Sequence, residues 1–139
     1  KVHGGTILKL LDQVAYACAS RYAGMYVVTL SVDRVQFLQP IRVGELVTFL
    51  ASINHTGTTS LEVGIKVVSE DFHKGVATHT NSCFFTMVAM NEEGKPSPVP
   101  QYVPETPLQK KRHAAAVLRK KLRRQFDDEY AKAIQTTAF

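Results

Sequence analysis

Cysteine is scarce, tryptophan is absent and long apolar runs are missing from this sequence of 139 residues. Its two cysteines, Cys18 and Cys83, lack metal-ligand spacing and are too few for a disulfide framework, so we expect buried free thiols. A membrane helix needs about 20 consecutive apolar residues, and no such run occurs. The first residues carry no charged-then-apolar export signal. These absences predict a soluble, cytoplasmic protein that does not contact membranes.

The apolar content of 45% is typical of a globular protein, and the length fits one domain of ordinary size. The net charge of +5 arises mainly near the C-terminus, where 8 of the 17 basic residues lie between residues 110 and 124. Aromatic residues are not interleaved with these charges before Phe126, which argues against a nucleic-acid partner. Two interpretations of this basic segment stay open. It forms a solvent-exposed helix, or some of its side chains screen the charge of a phosphate-bearing substrate.

Hydrophobic periodicity predicts one helix, four strands and a second helix. Apolar residues recur at helical spacing from Gly4 to about Tyr22, and we expect this helix to be buried on most of its circumference. Runs rich in β-branched and aromatic residues predict the strands, at Tyr26–Phe37, Glu45–Ile53, Thr59–Val68 and Ala77–Met90. Short glycine-bearing turns favour antiparallel neighbours, so the architecture is α+β, a helix wrapped by an antiparallel sheet.

A proline-rich strap and a basic helix follow the last strand. Residues 91–106 include Pro96, Pro98, Pro100 and Pro104, which predict an extended segment across the surface. Thr106 and Pro107 have the residue types of an N-cap and a first helical position. The helix has a thin apolar stripe, so we expect it to pack weakly or against a partner. We therefore divide the chain into residues 1–105 and a C-terminal helix and tail, 106–139.

Two glycines at the start of the first helix suggest a site for a developing negative charge. Gly4 and Gly5 permit a tight turn, after which the first N–H groups of the helix can face a ligand. The carboxylate of Asp12 lies seven residues beyond Gly5 among apolar neighbours. That spacing is roughly 10 Å along a helix, too far for one chain to combine the two groups at one carbonyl. Two antiparallel helices across a two-fold axis would bring them together.

Such a site would suit the hydrolysis of an activated acyl group, with Gly5 polarising the carbonyl and Asp12 activating water or attacking directly. From the spacing alone, however, Asp12 fits a structural carboxylate better than a catalytic one. His3 could serve as an acid, a base or a ligand, but in this position it more often braces the loop.

The remaining candidate side chains give weaker signals. The other four histidines are scattered without metal-ligand spacing, so we expect no metal site. Thr58, Thr59 and Ser60 could offer hydroxyl groups to a substrate at the mouth of a turn, although hydroxyl residues are common in turns without function.

The first-helix motif and several later segments together resemble one enzyme family. The segments are His3 to Ile7 with Asp12 and Ala15, Phe37 to Glu45, Gly57 to Ser60, Phe84 to Ala89, and Gly94 to Pro100. They are similar to the hotdog-fold acyl-coenzyme A thioesterases, in the branch typified by bacterial YciA-like enzymes and mammalian cytosolic acyl-CoA hydrolases. The resemblance extends over nearly the whole chain to Thr106.

This resemblance implies a hotdog fold, hotdog dimers and a homohexamer built as a trimer of dimers. It makes Asp12 the counterpart of the family's catalytic carboxylate and Gly5 that of the helix-start amide that polarises the thioester. His3, Gly4, Thr58, Thr59 and Ser60 are then expected to contact the substrate. In this branch an asparagine often precedes the His-Gly-Gly turn. The first strand of the domain would lie before Lys1, and whether that segment carries such an asparagine stays open from the sequence.

The implied activity is hydrolysis of acyl-CoA to a free acid and coenzyme A, without a metal or an organic cofactor. Two alternatives stay open from the sequence. A hydratase or dehydratase of acyl thioesters would pair a histidine with the helix carboxylate, and only His3 is near. A non-hydrolytic acyl-CoA-binding regulator would retain its ligand intact. Some relatives respond to nucleotides, so a nucleotide regulator is also possible.

Overall fold

Two helices and four strands make up the protein in a computed structural model that describes residues 1–135. In chain order they are α1 (Gly4–Ala23), β1 (Tyr26–Phe37), β2 (Leu46–Thr56), β3 (Ser60–Asp71), β4 (Val76–Met90) and α2 (Pro107–Gln135). The predicted order of elements is confirmed. Strands β2 and β3 each run three residues beyond their predicted C-terminal ends, because ladder pairing continues at Thr56↔Leu61 and Asp71↔Val76.

The strands form one antiparallel sheet in the order β1-β4-β3-β2. Tight turns join β2 to β3 and β3 to β4, as expected, and Gly75 in the second turn has φ 63°, which favours glycine. The longer loop of residues 38–45 carries the chain from β1 at one edge to β2 at the other. Two register shifts interrupt the β1–β4 ladder, and Arg34, within the second of them, has φ 55°.

Helix α1 packs on one face of this sheet through residues four apart. Its buried residues are Ile7, Leu11, Ala15, Ala19 and Ala23, and they join strand residues such as Val63 and Phe85 in one core. The prediction of a helix buried on most of its circumference is wrong for the single chain, since Leu8 is 39% exposed and Tyr16 is 43% exposed. The sheet covers only one side of the helix.

The two faces of β3 differ less than the sequence pattern suggests. The predicted inward residues are buried: Leu61, Val63, Ile65 and Val67. On the predicted wetter face Glu62 is also buried, and the Asn54 side-chain amide donates a 3.2 Å hydrogen bond to its carboxylate. A polar partner on the neighbouring strand therefore accompanies a carboxylate that leaves solvent.

The proline-rich strap runs along the sheet as expected. Met90 bridges to Pro96, the Ser97 N–H donates to the Ala89 carbonyl at 2.9 Å, and the Val99 N–H donates to the Thr58 carbonyl at 3.0 Å. The strap thus fixes the backbone of the β2–β3 turn.

Helix α2 lies in a second compact unit, which begins at Val103, whereas the first unit spans Lys1–Tyr102. The Gln109 N–H donates to the Thr106 hydroxyl at 3.1 Å, and the Gln109 side-chain oxygen accepts the Thr106 N–H, a reciprocal capping box. The predicted N-cap at Thr106 is confirmed. The predicted division between residues 105 and 106 stays a prediction. Within residues 1–135, no helix has the length and apolar character needed to cross a membrane.

Candidate active site

The Asp12 carboxylate is exposed on α1 and held by a side chain of β1. The Thr29 hydroxyl donates a 2.6 Å hydrogen bond to Asp12 Oδ1. A hydroxyl bonded to a carboxylate at this distance makes a strong, charge-assisted contact. It restrains one carboxylate oxygen and leaves Oδ2 for another partner.

A cavity of about 330 Å³ opens beside this pair. Its lining includes Asp12, Thr29, Tyr16, Tyr26 and Val28. The two tyrosine rings meet edge to face, with centroids 6.2 Å apart and planes at 64°. An exposed carboxylate therefore stands at the rim of an open, partly aromatic cleft.

The first turn of α1 provides two uncommitted backbone donors. The His3 carbonyl accepts the Thr6 N–H at 3.0 Å and the Ile7 N–H at 3.3 Å. Helix geometry leaves the earlier N–H groups of Gly4 and Gly5 without an intrahelical acceptor. The His3 side chain makes no capping hydrogen bond to this turn. The start of α1 is thus open to an external acceptor.

The two glycines have different neighbours. A Cβ on Gly4 would come within 3.2 Å of the Phe37 ring, so close packing favours glycine there. A Cβ on Gly5 would meet no heavy atom within 4 Å. Among residues 1–135, therefore, no atom fills the position that a side chain at Gly5 would take. A second cavity, of about 350 Å³, includes Gly4 and Phe37 in its lining.

The turn of Thr58, Thr59 and Ser60 lies at the same end of the sheet as the Asp12 cleft. Ser60 is in register with Val88, and Val88 with Val28, which lines that cleft. Two strand spacings of roughly 5 Å each separate the turn from β1. The carbonyls of all three residues accept backbone hydrogen bonds.

The structure brings together some of the predicted site residues and separates others. Asp12 and the Thr58–Ser60 turn share one end of the sheet, whereas His3 and the two glycines lie at the start of α1, near Phe37. Helical periodicity places Gly5 and Asp12 on the same side of α1, about 20° apart in projection and roughly 10 Å apart along the axis. A single chain therefore presents the two halves of the predicted site without joining them.

Thr29 is the contact that sequence reasoning missed. Threonine is common in strands, and its position 17 residues after Asp12 gives no periodic signal. Only the packing of α1 against β1 brings the two side chains together.

The cysteines are poorly suited to nucleophilic chemistry. Cys83 is buried in the core, and burial raises the pKa of its thiol to about 12. Cys18 is only half-buried, less than predicted, although burial raises its pKa too. Both thiols stay protonated near neutral pH, and the thiolate is the reactive form.

A sequence model of the thioesterase superfamily matches residues 1–76. The chain belongs to the thioesterase superfamily. Protein VdlD of Helicobacter pylori is 57% identical over 122 residues, which cover 88% of this chain and 70% of that protein. The cytosolic acyl coenzyme A thioester hydrolase of Mus musculus is 41% identical over 113 residues, which cover 80% of this chain and 30% of the mouse protein.

Solved structures of thioesterase-superfamily members confirm the predicted hotdog fold. An acyl-CoA hydrolase from Bacillus cereus superposes with a TM-score of 0.87 at 38% identity, over 99% of this chain and 84% of that one. An apo-hexameric acyl-CoA thioesterase gives 0.87 at 38% identity, with coverages of 91% and 81%.

An acyl-CoA hydrolase from Staphylococcus aureus, in complex with butyryl coenzyme A, coenzyme A and coenzyme A disulfide, gives a TM-score of 0.86 at 32% identity, with coverages of 96% and 82%. It is also solved as variants in which a threonine, an aspartate or an asparagine is replaced by alanine. The resemblance to hotdog acyl-CoA thioesterases predicted from the sequence is therefore confirmed.

Proposed function

We propose that this protein hydrolyses acyl-CoA thioesters to a free carboxylic acid and coenzyme A, at sites shared between two copies of the chain. The observation that carries the proposal is the Asp12–Thr29 hydrogen bond, on the side of α1 that also presents the open N–H of Gly5. Membership of the thioesterase superfamily indicates the class of reaction. The placement of Asp12, Thr29 and Gly5 indicates which groups act in it.

The distance between the two groups argues for a dimeric site. If two α1 helices pack antiparallel across a two-fold axis, Gly5 of one copy approaches Asp12 of the other, and each dimer holds two sites. The open space in front of Gly5 and the exposed Leu8 and Tyr16 lie on this side of the helix. A partner helix there would cover apolar surface that the single chain leaves in water.

Each group has a separate task in hydrolysis. The Gly5 N–H, aligned with the positive end of the helix dipole, donates to the thioester oxygen as it gains charge. Asp12 Oδ2 takes a proton from the water that attacks the carbonyl carbon, the C–S bond breaks, and Asp12 gives that proton to the leaving thiolate of coenzyme A. In the alternative route Asp12 attacks the carbon itself and displaces the thiolate, which takes a proton from solvent, and water then hydrolyses the resulting mixed anhydride to release the acid and restore the carboxylate. The Thr29 hydroxyl keeps Asp12 oriented throughout.

The variants of the Staphylococcus aureus enzyme support this assignment. The aspartate and the threonine replaced in that protein are 17 positions apart, as are Asp12 and Thr29. The same spacing in a homologue of this fold supports treating Thr29 as part of the site.

The remaining parts of the proposal concern binding and assembly. We further propose that His3 and Gly4, at the turn that opens α1, and the hydroxyl groups of Thr58, Thr59 and Ser60 contact the substrate, as the resemblance implies. The relative described as a hexamer supports a homohexamer, which we propose is a trimer of dimers. A cytoplasmic location, the absence of a metal or organic cofactor, and a nucleotide regulator all stay predictions.

Mixed dimers test the shared site directly. Asp12→Asn removes the base, and Gly5→Pro removes the N–H at a first-turn position where proline is tolerated. We expect each variant alone to be inactive on a panel of acyl-CoA substrates, with release of thiol as the measurement. When the two variants are co-expressed in equal amounts, random pairing leaves about a quarter of all sites intact, because half the dimers are mixed and each has one good site.

The control is the Asp12→Asn, Gly5→Pro double variant co-expressed with the unsubstituted chain. If Gly5 and Asp12 of one site come from different copies, this mixture also has about a quarter of its sites intact. If both come from the same copy, about half of the sites are intact. Failure of the two single variants to complement, despite formation of mixed dimers, would overturn the shared site. Intact acyl-CoA retained by the unsubstituted protein would support the binding-regulator alternative instead.

A further inference from the structure

Every carbonyl group of residues 57–60, the turn between β2 and β3, accepts a hydrogen bond from the chain itself. The proline-rich strap supplies two of the donors. The Val99 N–H reaches the Thr58 carbonyl at 3.0 Å, and the side-chain amide of Gln101 reaches the Gly57 carbonyl at 2.9 Å. The backbone of β4 and the turn itself supply the other two donors. The chain thus uses all the backbone acceptors of this turn.

Gln101 uses both ends of its side-chain amide in these contacts. The nitrogen also donates to the Val99 carbonyl at 3.3 Å, and the oxygen accepts the Thr56 hydroxyl at 3.4 Å. The same Thr56 oxygen accepts the Tyr102 N–H at 3.0 Å. All of these residues belong to the unit Lys1–Tyr102. One side chain therefore ties the end of β2 and the start of the turn to the strap, and a carboxylate of the same shape would lack the donors.

The hydroxyl groups of the turn differ from its carbonyls in this respect. Within residues 1–135, the hydroxyls of Thr58, Thr59 and Ser60 make no hydrogen bond to the chain. Thr58 is exposed, and the other two residues are half-buried. Hydroxyl groups donate to acceptor oxygens, which coenzyme A has in its phosphates and amide carbonyls and a hydrocarbon acyl chain lacks. The turn therefore presents donors suited to the coenzyme A part of the substrate.

We propose that Gln101 is a positioning residue, whose amide holds the turn of residues 57–60 in the conformation in which the Thr58, Thr59 and Ser60 hydroxyls meet coenzyme A. This role rests on the proposed hydrolysis of acyl-CoA and on the proposed contacts of those hydroxyls. Gln101 acts through the turn without touching the substrate. A turn fixed before the substrate arrives lowers the entropic cost of binding, because its hydroxyls are already ordered. Loss of the amide nitrogen should therefore weaken binding and leave the chemical step intact.

Two glutamine-to-glutamate variants of the full chain test this role. Gln101→Glu keeps the length and shape of the side chain but replaces the donor nitrogen by an oxygen that faces two backbone carbonyls. Gln109→Glu is the matched control. Within residues 1–135 its amide makes hydrogen bonds through the oxygen alone, which accepts the Glu105 and Thr106 N–H groups. Both variants gain one negative charge, and only the first loses hydrogen bonds.

The expected result is a change in binding without a change in turnover. For Gln101→Glu, the KM for acyl-CoA and the Kd for coenzyme A should rise about tenfold, with kcat changed by less than about twofold. Release of thiol gives KM and kcat, and titration calorimetry with coenzyme A alone gives Kd. Gln109→Glu should leave all three unchanged. Gln101→Met, which is uncharged and of similar length, should show the same rise and serves if the glutamate variant does not fold.

A purely structural role for Gln101 would give a different pattern. The melting temperature and kcat would fall while KM and Kd stayed unchanged, and that result would overturn the proposal. Failure of the unsubstituted chain to bind coenzyme A would overturn it as well. The proposed reaction is tested separately, because binding of coenzyme A needs no hydrolysis. A chain that binds coenzyme A without hydrolysing acyl-CoA contradicts the proposed function, whereas equal Kd values for Gln101→Glu and Gln109→Glu contradict the positioning role.

Removal of the hydroxyls shows whether Gln101 acts through them. The background for this test is a Thr58→Val, Thr59→Val, Ser60→Ala variant. Adding Gln101→Glu to it should raise the Kd for coenzyme A by less than about twofold, because residues that act through one another have non-additive effects. A further rise of about tenfold would mean that Gln101 acts independently of the turn hydroxyls, and would overturn the proposal.

Discussion

The two sides of α1 differ in what covers them. One side carries the residues four apart that pack on the sheet, Ile7, Leu11, Ala15 and Ala19, and the chain itself buries them completely or nearly so. The other side carries Gly5, Leu8, Asp12 and Tyr16, and the chain leaves them in solvent. The first side has no ionisable group, and the second has a carboxylate and open backbone donors. Packing within the chain thus accounts for one side, and the proposed contacts with a substrate and a second copy would account for the other.

Removing the carboxylate of the exposed side should have the largest effect. Asp12→Asn preserves shape and hydrogen-bonding capacity but cannot accept a proton from water. We expect the rate of acyl-CoA hydrolysis to fall by about 10³-fold, the range typical for loss of a general base. The measurement is kcat from released thiol, with the mass of the assembly confirmed by sedimentation. Activity within tenfold of the unsubstituted protein would remove Asp12 from the mechanism.

Shortening a side chain on the buried side of α1 should lower the stability of the protein and leave its catalytic rate unchanged. Leu11 is fully buried, so Leu11→Ala should lower the free energy of unfolding by about 3 kcal/mol through lost burial and a residual cavity. Denaturant titration measures that loss, and kcat per folded site should stay unchanged.

Leu8→Ala is the matched control on the exposed side. Since Leu8 is 39% exposed in the single chain, its loss should lower the melting temperature mainly at low protein concentration, where assembly is incomplete. If the melting temperatures of Leu8→Ala and Leu11→Ala depended equally on protein concentration, the two sides of α1 would not differ in their role in assembly.

The hydrogen bond that reaches Asp12 from β1 gives a smaller effect. Thr29→Val keeps the shape of the side chain and removes the hydroxyl, so the carboxylate loses a charge-assisted contact of about 1.5 kcal/mol, or roughly tenfold in kcat. Thr29→Ser should retain most activity because it restores the donor. A change in KM with kcat preserved would assign Thr29 to substrate binding instead of to positioning Asp12.

The smallest expected effect concerns the buried thiol of Cys83, in the core on which α1 packs. Burial raises the pKa of Cys83 from its ordinary value of 9.0 to about 12, so the folded protein holds this proton more tightly than the unfolded chain. Its contribution to stability is therefore constant below pH 9 and declines from pH 9 towards pH 12, by up to about 1.4 kcal/mol per pH unit. Comparing the unfolding of Cys83→Ala with the unsubstituted protein at pH 7, 9 and 10 isolates this group. A difference between the two proteins that does not change with pH would contradict it.

Local patterns were enough to find most elements of this fold. The break at Gly24 predicts the end of α1, and that glycine forms its left-handed cap with φ 68°. Alternation along β3 predicts the inward positions of Leu61, Val63, Ile65 and Val67, all of which are buried. Both features depend only on a residue and its near neighbours in the chain, so they can be predicted from the sequence. The burial of Glu62 depends on Asn54 across the sheet, and no local pattern indicates it.

The candidate site likewise has features that the sequence indicates and others that only the folded structure reveals. The His-Gly-Gly turn and the carboxylate of Asp12 are visible in the sequence, because glycine and an isolated charge in an apolar run are local signals. The exposure of Asp12 is not visible, since an apolar run predicts burial without showing which side the sheet covers. Nor is Thr29, whose contact with Asp12 joins two elements that meet only when α1 packs on β1.

The order of the elements, the turn that opens α1, the N-cap of α2 and the family to which the chain belongs could all be predicted from the amino-acid sequence. Each of these follows from residues close together in the chain or from motifs that hold their spacing. Three relations became evident only from the tertiary structure: which side of α1 faces the sheet, that Thr29 holds Asp12, and that the side with Gly5 and Asp12 stays exposed. The physical reason is that such relations arise when distant segments exclude water from a common core, and no short stretch of sequence contains both partners.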